Sequence, residues 1–196
     1  MNTLIINEIF YSIQGESLSS GMPTVFIRLT GCPLRCQYCD TAYAFQEGSK
    51  KNFDEIMNEV KNFNCNNITV TGGEPLSQKN TINLLTLLNG LAYNVSIETS
   101  NAISIDNLDD RTIIVLDVKT PASKEADKNI IDNYKYLKPT DQVKFVICNL
   151  DDYAWAKDYI FKYNLHKKCT ILFSPSYDEM DIKILAENML KDNIPA

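Results

Sequence analysis

The chain has 196 residues, 44% of them hydrophobic and 22% charged, with a formal net charge of −6. This length supports one domain with a real core, and the acidic balance argues against a non-specific nucleic-acid binder, which needs a basic face. No apolar stretch approaches the length of a membrane span, and the N-terminus lacks the basic start of a signal peptide, its apolar run being broken by Asn7 and Glu8.

In chain order, Leu4 to Ile13 partly alternates apolar and polar residues and predicts a strand leading into the turn Gln14-Gly15-Glu16-Ser17. Residues 24–29 predict a second strand, ending at Gly31. Phe53, Ile56, Met57, Val60 and Phe63 recur at helical spacing and predict a helix over 54–63. The β-branched run 68–71 predicts a strand that stops at Gly72-Gly73-Glu74-Pro75; a helix over 79–90 follows, with Leu84, Leu87, Leu88 and Leu91 on one face. Strands are expected over 94–98 and 113–119, then a charged helix over 124–137 and a strand over 142–148. A helix over 151–163 stacks Trp155, Tyr159 and Tyr163, a strand covers 169–173, and a last helix over 178–191 turns Ile182, Leu185 and Met189 inward.

Strands alternating with helices imply βαβ units and a parallel sheet. About six strands fit an α/β fold, a partial, open parallel βα barrel, with 1–196 as a single domain. The polar or Gly/Pro-rich tails at 31–39, 72–75, 99–101, 119–121 and 174–176 would then share one rim, where parallel α/β folds bind ligands.

Three of the six cysteines, Cys32, Cys36 and Cys39, fall on one of these tails with the spacing Cys-x3-Cys-x2-Cys. The clustering, without an export signal, fits reduced thiols in the cytoplasm better than disulfides. Thiolates select zinc, copper(I) or iron–sulfur clusters. A closed zinc site needs four protein ligands, and no fourth Cys or His follows at ligand spacing; the single His, His166, is remote. Three cysteines can instead hold three irons of a 4Fe–4S cluster and leave the fourth open. A zinc-stabilised binding module using a distant ligand such as Cys65 is the competing non-enzyme reading, while Cys148 and Cys169 read as small buried hydrophobes.

With Tyr38 before the third cysteine and Thr71-Gly72-Gly73-Glu74-Pro75 after a strand, the loop resembles the radical S-adenosylmethionine superfamily. Gly72 and Gly73 would let the backbone approach the methionine end of that cofactor, and Glu74 would offer its ammonium a carboxylate. More narrowly, Ile9–Ser17, Phe26-Ile27-Arg28, Cys39-Asp40-Thr41, 71–76, Ser96-Ile97-Glu98-Thr99 and Asp117-Val118-Lys119-Thr120-Pro121 resemble the 7-carboxy-7-deazaguanine synthases. That resemblance implies a lyase that contracts 6-carboxy-5,6,7,8-tetrahydropterin with loss of ammonia, on the route to queuosine. It implies a 4Fe–4S cluster, S-adenosylmethionine and Mg2+ as cofactors. The chemistry is hydrogen abstraction by a 5′-deoxyadenosyl radical, with the hydrogen later returned. A flavodoxin-type or other reductant and a homodimer are expected.

Carried over residue by residue, Ile13, Gln14, Gly15 and Thr71 would contact the pterin, and Arg28 would pair its carboxylate through the guanidinium fork. A neighbouring acid is the alternative partner for Arg28. Cys32, Cys36 and Cys39 would bind the cluster and Thr41 would give Mg2+ a hard hydroxyl oxygen. Tyr38, Gly73, Asp117, Val118, Lys119, Ser174, Pro175, Ser176 and Tyr177 would hold the cofactor, with Glu98 and Ser100 as further contacts. The family usually continues into a final strand with a Gln-x-His-Lys stretch, which is not seen after residue 193, so the domain is expected to lack it. Another small radical enzyme, such as an activase for glycyl-radical enzymes, is the alternative within the superfamily.

Overall fold

In the computed structural model, which describes residues 2–196, strands and helices alternate along most of the chain. The strands are β1 (Thr3–Ile13), β2 (Pro23–Leu29), β3 (Ser49–Asn52), β4 (Asn67–Gly72), β5 (Asn94–Ser100), β6 (Ile113–Asp117), β7 (Gln142–Ile147) and β8 (Thr170–Pro175). The α-helices are α1 (Phe53–Lys61), α2 (Thr81–Gly90), α3 (Leu150–Lys162) and α4 (Ile182–Asp192). The sheet order is β3-β1-β2-β4-β5-β6-β7-β8, eight strands with free ends at β3 and β8 rather than a closed ring. β2–β4, β4–β5 and β7–β8 pair in parallel, as the βα pattern implies, whereas β1 pairs antiparallel with both β2 and β3.

The chain forms two compact units. One comprises the residues up to Pro33, Asp40–Thr99 and Ile105–Val115; the other comprises Leu34–Cys39, Ser100–Ser104 and Leu116–Ala196. In the first unit, Ile27, Leu29, Ile68, Val70, Val95 and Ile97 alternate along their strands and are buried with Ile56, Met57 and Val60 of α1 and Leu84, Leu85 and Leu88 of α2. The intervening residues of the same strands, Arg28, Thr69, Thr71, Ser96 and Glu98, fall on the other face of the pleat. In the second unit, Val143, Phe145, Ile147, Ile160, Leu165 and Ile171 are buried. Trp155, Tyr159 and Tyr163 stack along α3 as expected, with neighbouring ring centroids 4.5 Å apart. Among the described residues no helix is long and apolar enough to cross a membrane.

Four expectations are corrected. No α-helix forms over 124–137: the segment is broken into 3-10 turns at Ala126–Lys128 and Ile131–Lys135. Asn129 turns its side chain back onto the Lys119 N–H, the Lys119 carbonyl and the Ala126 carbonyl, and the Ile130 N–H donates to Asn101. These bonds compete with a helical ladder. The sheet has eight strands rather than about six: all seven segments read as strands take part, and Ser-Lys-Lys-Asn at 49–52 adds an edge strand. On α2, Leu85 is buried and Leu91 is exposed, so the apolar face is rotated by one position. On α4, only Leu185 is fully buried, and Ile182 is 70% exposed.

Candidate active site

The polar face of the first unit carries a connected set of side chains. Arg28 lies opposite Glu8 on β1 and opposite Thr71 on β4. Its Nε donates to Glu8 Oε1 at 2.7 Å, and its guanidinium carbon lies 5.7 Å and 5.8 Å from the ring centroids of Phe10 and Tyr43. The Tyr43 hydroxyl donates to the same Glu8 oxygen at 2.8 Å, and this bond, after desolvation, raises the Tyr43 pKa. The neighbouring acid thus takes Nε and fixes the plane of the guanidinium.

Glu98 on β5 gathers the next group. Its Oε1 accepts from Gln14 Nε2 at 3.1 Å and its Oε2 from the Thr71 hydroxyl at 3.1 Å. Gln14 is buried and also donates to Thr69 Oγ1 at 3.3 Å, while its own Oε1 accepts from the Glu16 N–H. The Gln14 amide is therefore spent on protein partners. Beside it, Ile13 is 58% exposed and Gly15 has nothing within 4 Å of where a Cβ would stand.

The Gly-Gly-Glu turn packs closely on protein. A Cβ on Gly73 would stand 2.5 Å from the Gly31 carbonyl oxygen and 2.8 Å from Cys32 Cβ, and one on Gly72 would strike Leu29 backbone. The missing side chains make room for protein: the turn packs on the start of the cysteine loop. The Glu74 N–H donates to Gly31 O at 2.8 Å. The Glu74 carboxylate is fully buried, accepting from the Leu76 N–H at 2.8 Å and the Thr99 hydroxyl at 2.7 Å. It caps the 3-10 turn Pro75–Ser77 instead of lining open space. At the far end of the loop, the Thr41 hydroxyl lies 2.6 Å from Asp40 Oδ1, two hard oxygens side by side.

In the second unit, Cys36 and Cys39 bracket a turn closed by the Cys39 N–H on the Cys36 carbonyl at 3.2 Å. None of the six cysteines is in a disulfide; Cys32, Cys36 and Cys39 are partly exposed, whereas Cys148 and Cys169 are buried. Burial pushes both of the latter thiols up to about 12, so they stay protonated and inert. The Tyr38 hydroxyl is buried without a hydrogen-bond partner, and burial, reinforced by Asp117, raises its pKa. Lys119 Nζ lies 5.6 Å from the Tyr38 ring centroid. Asp117 Oδ2 accepts from Lys119 Nζ at 3.1 Å and faces Lys144 Nζ at 3.7 Å, while its Oδ1 is buried with no partner. Desolvation opposes the Asp117 charge, but the two ammonium groups outweigh it and hold the carboxyl below its usual range. Tyr38 and Asp117 each leave one buried polar atom unsatisfied, which is what a bound polar ligand or water would complete.

Val118 and Ser176 are buried, Ser174 and Pro175 end β8, and Tyr177 is 90% exposed, outside any grouping in its unit. Glu8, Tyr43, Lys144 and Glu179 escaped the sequence reading. Glu8 and Lys144 sit at alternating strand positions where a charge among apolar neighbours was the available signal. Among the described residues no three His, Cys, Asp or Glu side chains are grouped as ligands of a single ion. Cys65, the suggested fourth zinc ligand, instead donates its thiol to the Pro23 and Asn67 carbonyls.

Residues 26–147 match the family described as the Radical SAM superfamily. The 7-carboxy-7-deazaguanine synthase of Chlorobaculum tepidum is 40% identical over 195 residues, spanning 98% of this chain and 89% of that protein. Proteins of the same name from Clostridium acetobutylicum and Thermoplasma acidophilum are 37% and 35% identical, over 98% and 95% of this chain and 90% and 89% of their own lengths. The crystal structure of QueE from Escherichia coli matches with a TM-score of 0.81 over 98% of this chain and 92% of that one; at 20% identity, this is a likeness of fold.

Proposed function

The chain belongs to the radical SAM superfamily and, within it, to the 7-carboxy-7-deazaguanine synthases, and from that membership we propose that it is the lyase converting 6-carboxy-5,6,7,8-tetrahydropterin to 7-carboxy-7-deazaguanine with loss of ammonia. The observation that carries the reading is the 40% identity held across 98% of the chain.

Cys32, Cys36 and Cys39 would hold a 4Fe–4S cluster. Three partly exposed cysteines on one loop, none of them in a disulfide, support this. The orphaned Tyr38 hydroxyl and Asp117 Oδ1, with Lys119 beside both, suit the polar groups of S-adenosylmethionine, and Val118 and the turn 174–177 would be its further contacts. When bound, cluster and cofactor supply the one-electron chemistry that removes a hydrogen atom from substrate. The protein's part is to bind and orient. Arg28, with Nε committed to Glu8, has its Nη edge for the substrate carboxylate. Glu98 and Thr71 offer oxygens, and Ile13 and Gly15 offer accessible backbone, to the pterin. Thr41 beside Asp40 would ligate Mg2+ through its lone pairs. A flavodoxin-type or other reductant, a homodimer and a cytoplasmic setting complete the proposal.

Expression in a bacterium lacking its own 7-carboxy-7-deazaguanine synthase tests it in the cell. Queuosine should return to tRNA with the wild-type chain and not with Cys36→Ala. Continued absence of queuosine with soluble, iron-loaded wild-type protein would overturn the proposal.

A further inference from the structure

Gln37 stands between Cys36 and Cys39, carries no metal-binding chemistry, and is held at both its backbone and its side chain. Its N–H donates to the Ser123 carbonyl at 3.1 Å, and its Nε2 donates to Glu179 Oε1 at 3.0 Å. Each anchor leads back to one buried carboxylate. On the first side, Ser123 is fully buried and its hydroxyl donates to the Thr120 carbonyl at 2.6 Å. The turn it belongs to is fastened to Asp152, whose oxygens accept from the Thr120 hydroxyl at 3.1 Å and the Ala122 N–H at 3.0 Å. On the second side, Glu179 Oε2 accepts from the Ser176 hydroxyl at 2.7 Å, and the Ser176 N–H donates to the carbonyl of Ile147, next to Cys148, at 2.8 Å. The Cys148 N–H then donates to Asp152 Oδ2 at 3.2 Å, which closes the circuit. A parallel strut, Arg35 N–H to Glu125 Oε1 at 2.6 Å, holds the residue before Cys36 to the same segment.

We infer that Gln37 is a positioning residue that sets the Cys36 and Cys39 thiols, and that Glu179 is the exposed latch of the hydrogen-bonded ring holding it. Asp152, a buried carboxylate with three donors on it, is the fixed base of the ring. Glu179 sits at the surface after β8, so the ring can be opened there without emptying the core. The functional meaning rests on the cluster reading of Cys36 and Cys39; the ring itself rests on the hydrogen bonds within one unit.

The test is made first on cluster-free protein, by timed alkylation of each cysteine read by mass spectrometry, with Cys32 as the internal reference. Glu179→Ala and Gln37→Ala should each raise the alkylation rate of Cys36 and Cys39 relative to Cys32 about two- to fivefold, as expected for one surface charge-assisted bond. The double variant should be no looser than either single one, because both open the same ring. Glu179→Gln, which keeps an acceptor for Gln37, should stay near wild type. In cluster-loaded protein, iron release to a chelator should quicken in the same order. Unchanged alkylation ratios in both single variants, an additive double variant, or a Glu179→Gln variant as loose as Glu179→Ala would each overturn the inference. If wild-type protein held no cluster, the family reading of the loop would fail while the alkylation result would still judge the ring.

Discussion

Replacing Gly73 by Ala places a methyl group where the protein has none to spare. The new Cβ would stand 2.5 Å from the Gly31 carbonyl oxygen and 2.8 Å from Cys32 Cβ. Unstrained carbon contacts lie near 3.5–4.0 Å, so the two segments must part by about 1 Å. They are tied at that point by the Glu74 N–H on Gly31 O at 2.8 Å and the Gly73 N–H on Leu29 O at 3.2 Å. Overpacking of this kind costs about 1–3 kcal/mol and a lost hydrogen bond about 1 more, so Gly73→Ala should lose about 2–4 kcal/mol. Gly90 is the control: it ends α2 with nothing within 4 Å of its Cβ position, so Gly90→Ala should be neutral or gain up to about 1 kcal/mol. Urea unfolding of both cluster-free variants gives the difference, and iron bound after reconstitution shows whether Cys32 has moved. A Gly73→Ala protein within about 0.5 kcal/mol of wild type that also binds full iron would refute the claim that this glycine seats the cysteine loop.

Asp117→Asn should destabilise by about 3 kcal/mol, because Lys119 and Lys144 lose their shared counter-charge. Since the folded Asp117 carboxyl is held below its ordinary value near 4, its contribution is present above that pH and lost as pH falls through the folded pKa. The wild-type minus Asp117→Asn stability difference, measured by urea unfolding from pH 7 to 3, should therefore shrink on acidification. Thr41→Ala should lose Mg2+ stimulation of deazaguanine formation while still cleaving S-adenosylmethionine; unchanged Mg2+ dependence would remove Thr41 as a ligand. Asn52→Ala should cost about 1 kcal/mol in urea unfolding, because its side chain and that of Glu55 form the reciprocal N-terminal cap of α1, and iron content should not change.

The βα alternation and most strand positions were legible because strands buried on both faces, such as β2 and β4, read as short apolar or β-branched runs, and helices such as α1 repeat their apolar residues near every 3.6 positions. β3 was not: Ser-Lys-Lys-Asn is a short polar edge strand, and what makes it a strand is its pairing with Thr3–Ile6. The failed helix over 124–137 has the same kind of cause, a tertiary bond from Ile130 to Asn101 and the back-folded Asn129 side chain. For the site, spacing exposed the three cysteines and the Gly-Gly-Glu turn but not how the turn packs. Gly73 makes room for Cys32, and Glu74 caps a buried turn. Glu8 showed only as a charge on a strand and Glu179 only as one of many exposed carboxylates, and it is the folded chain that brings them to Arg28 and Gln37.

The central claim is the reaction itself. Anaerobically reconstituted protein given 6-carboxy-5,6,7,8-tetrahydropterin, S-adenosylmethionine, Mg2+ and dithionite should form 7-carboxy-7-deazaguanine, identified by mass. Fully iron-loaded protein that cleaves S-adenosylmethionine to 5′-deoxyadenosine yet forms no 7-carboxy-7-deazaguanine from this substrate would contradict it.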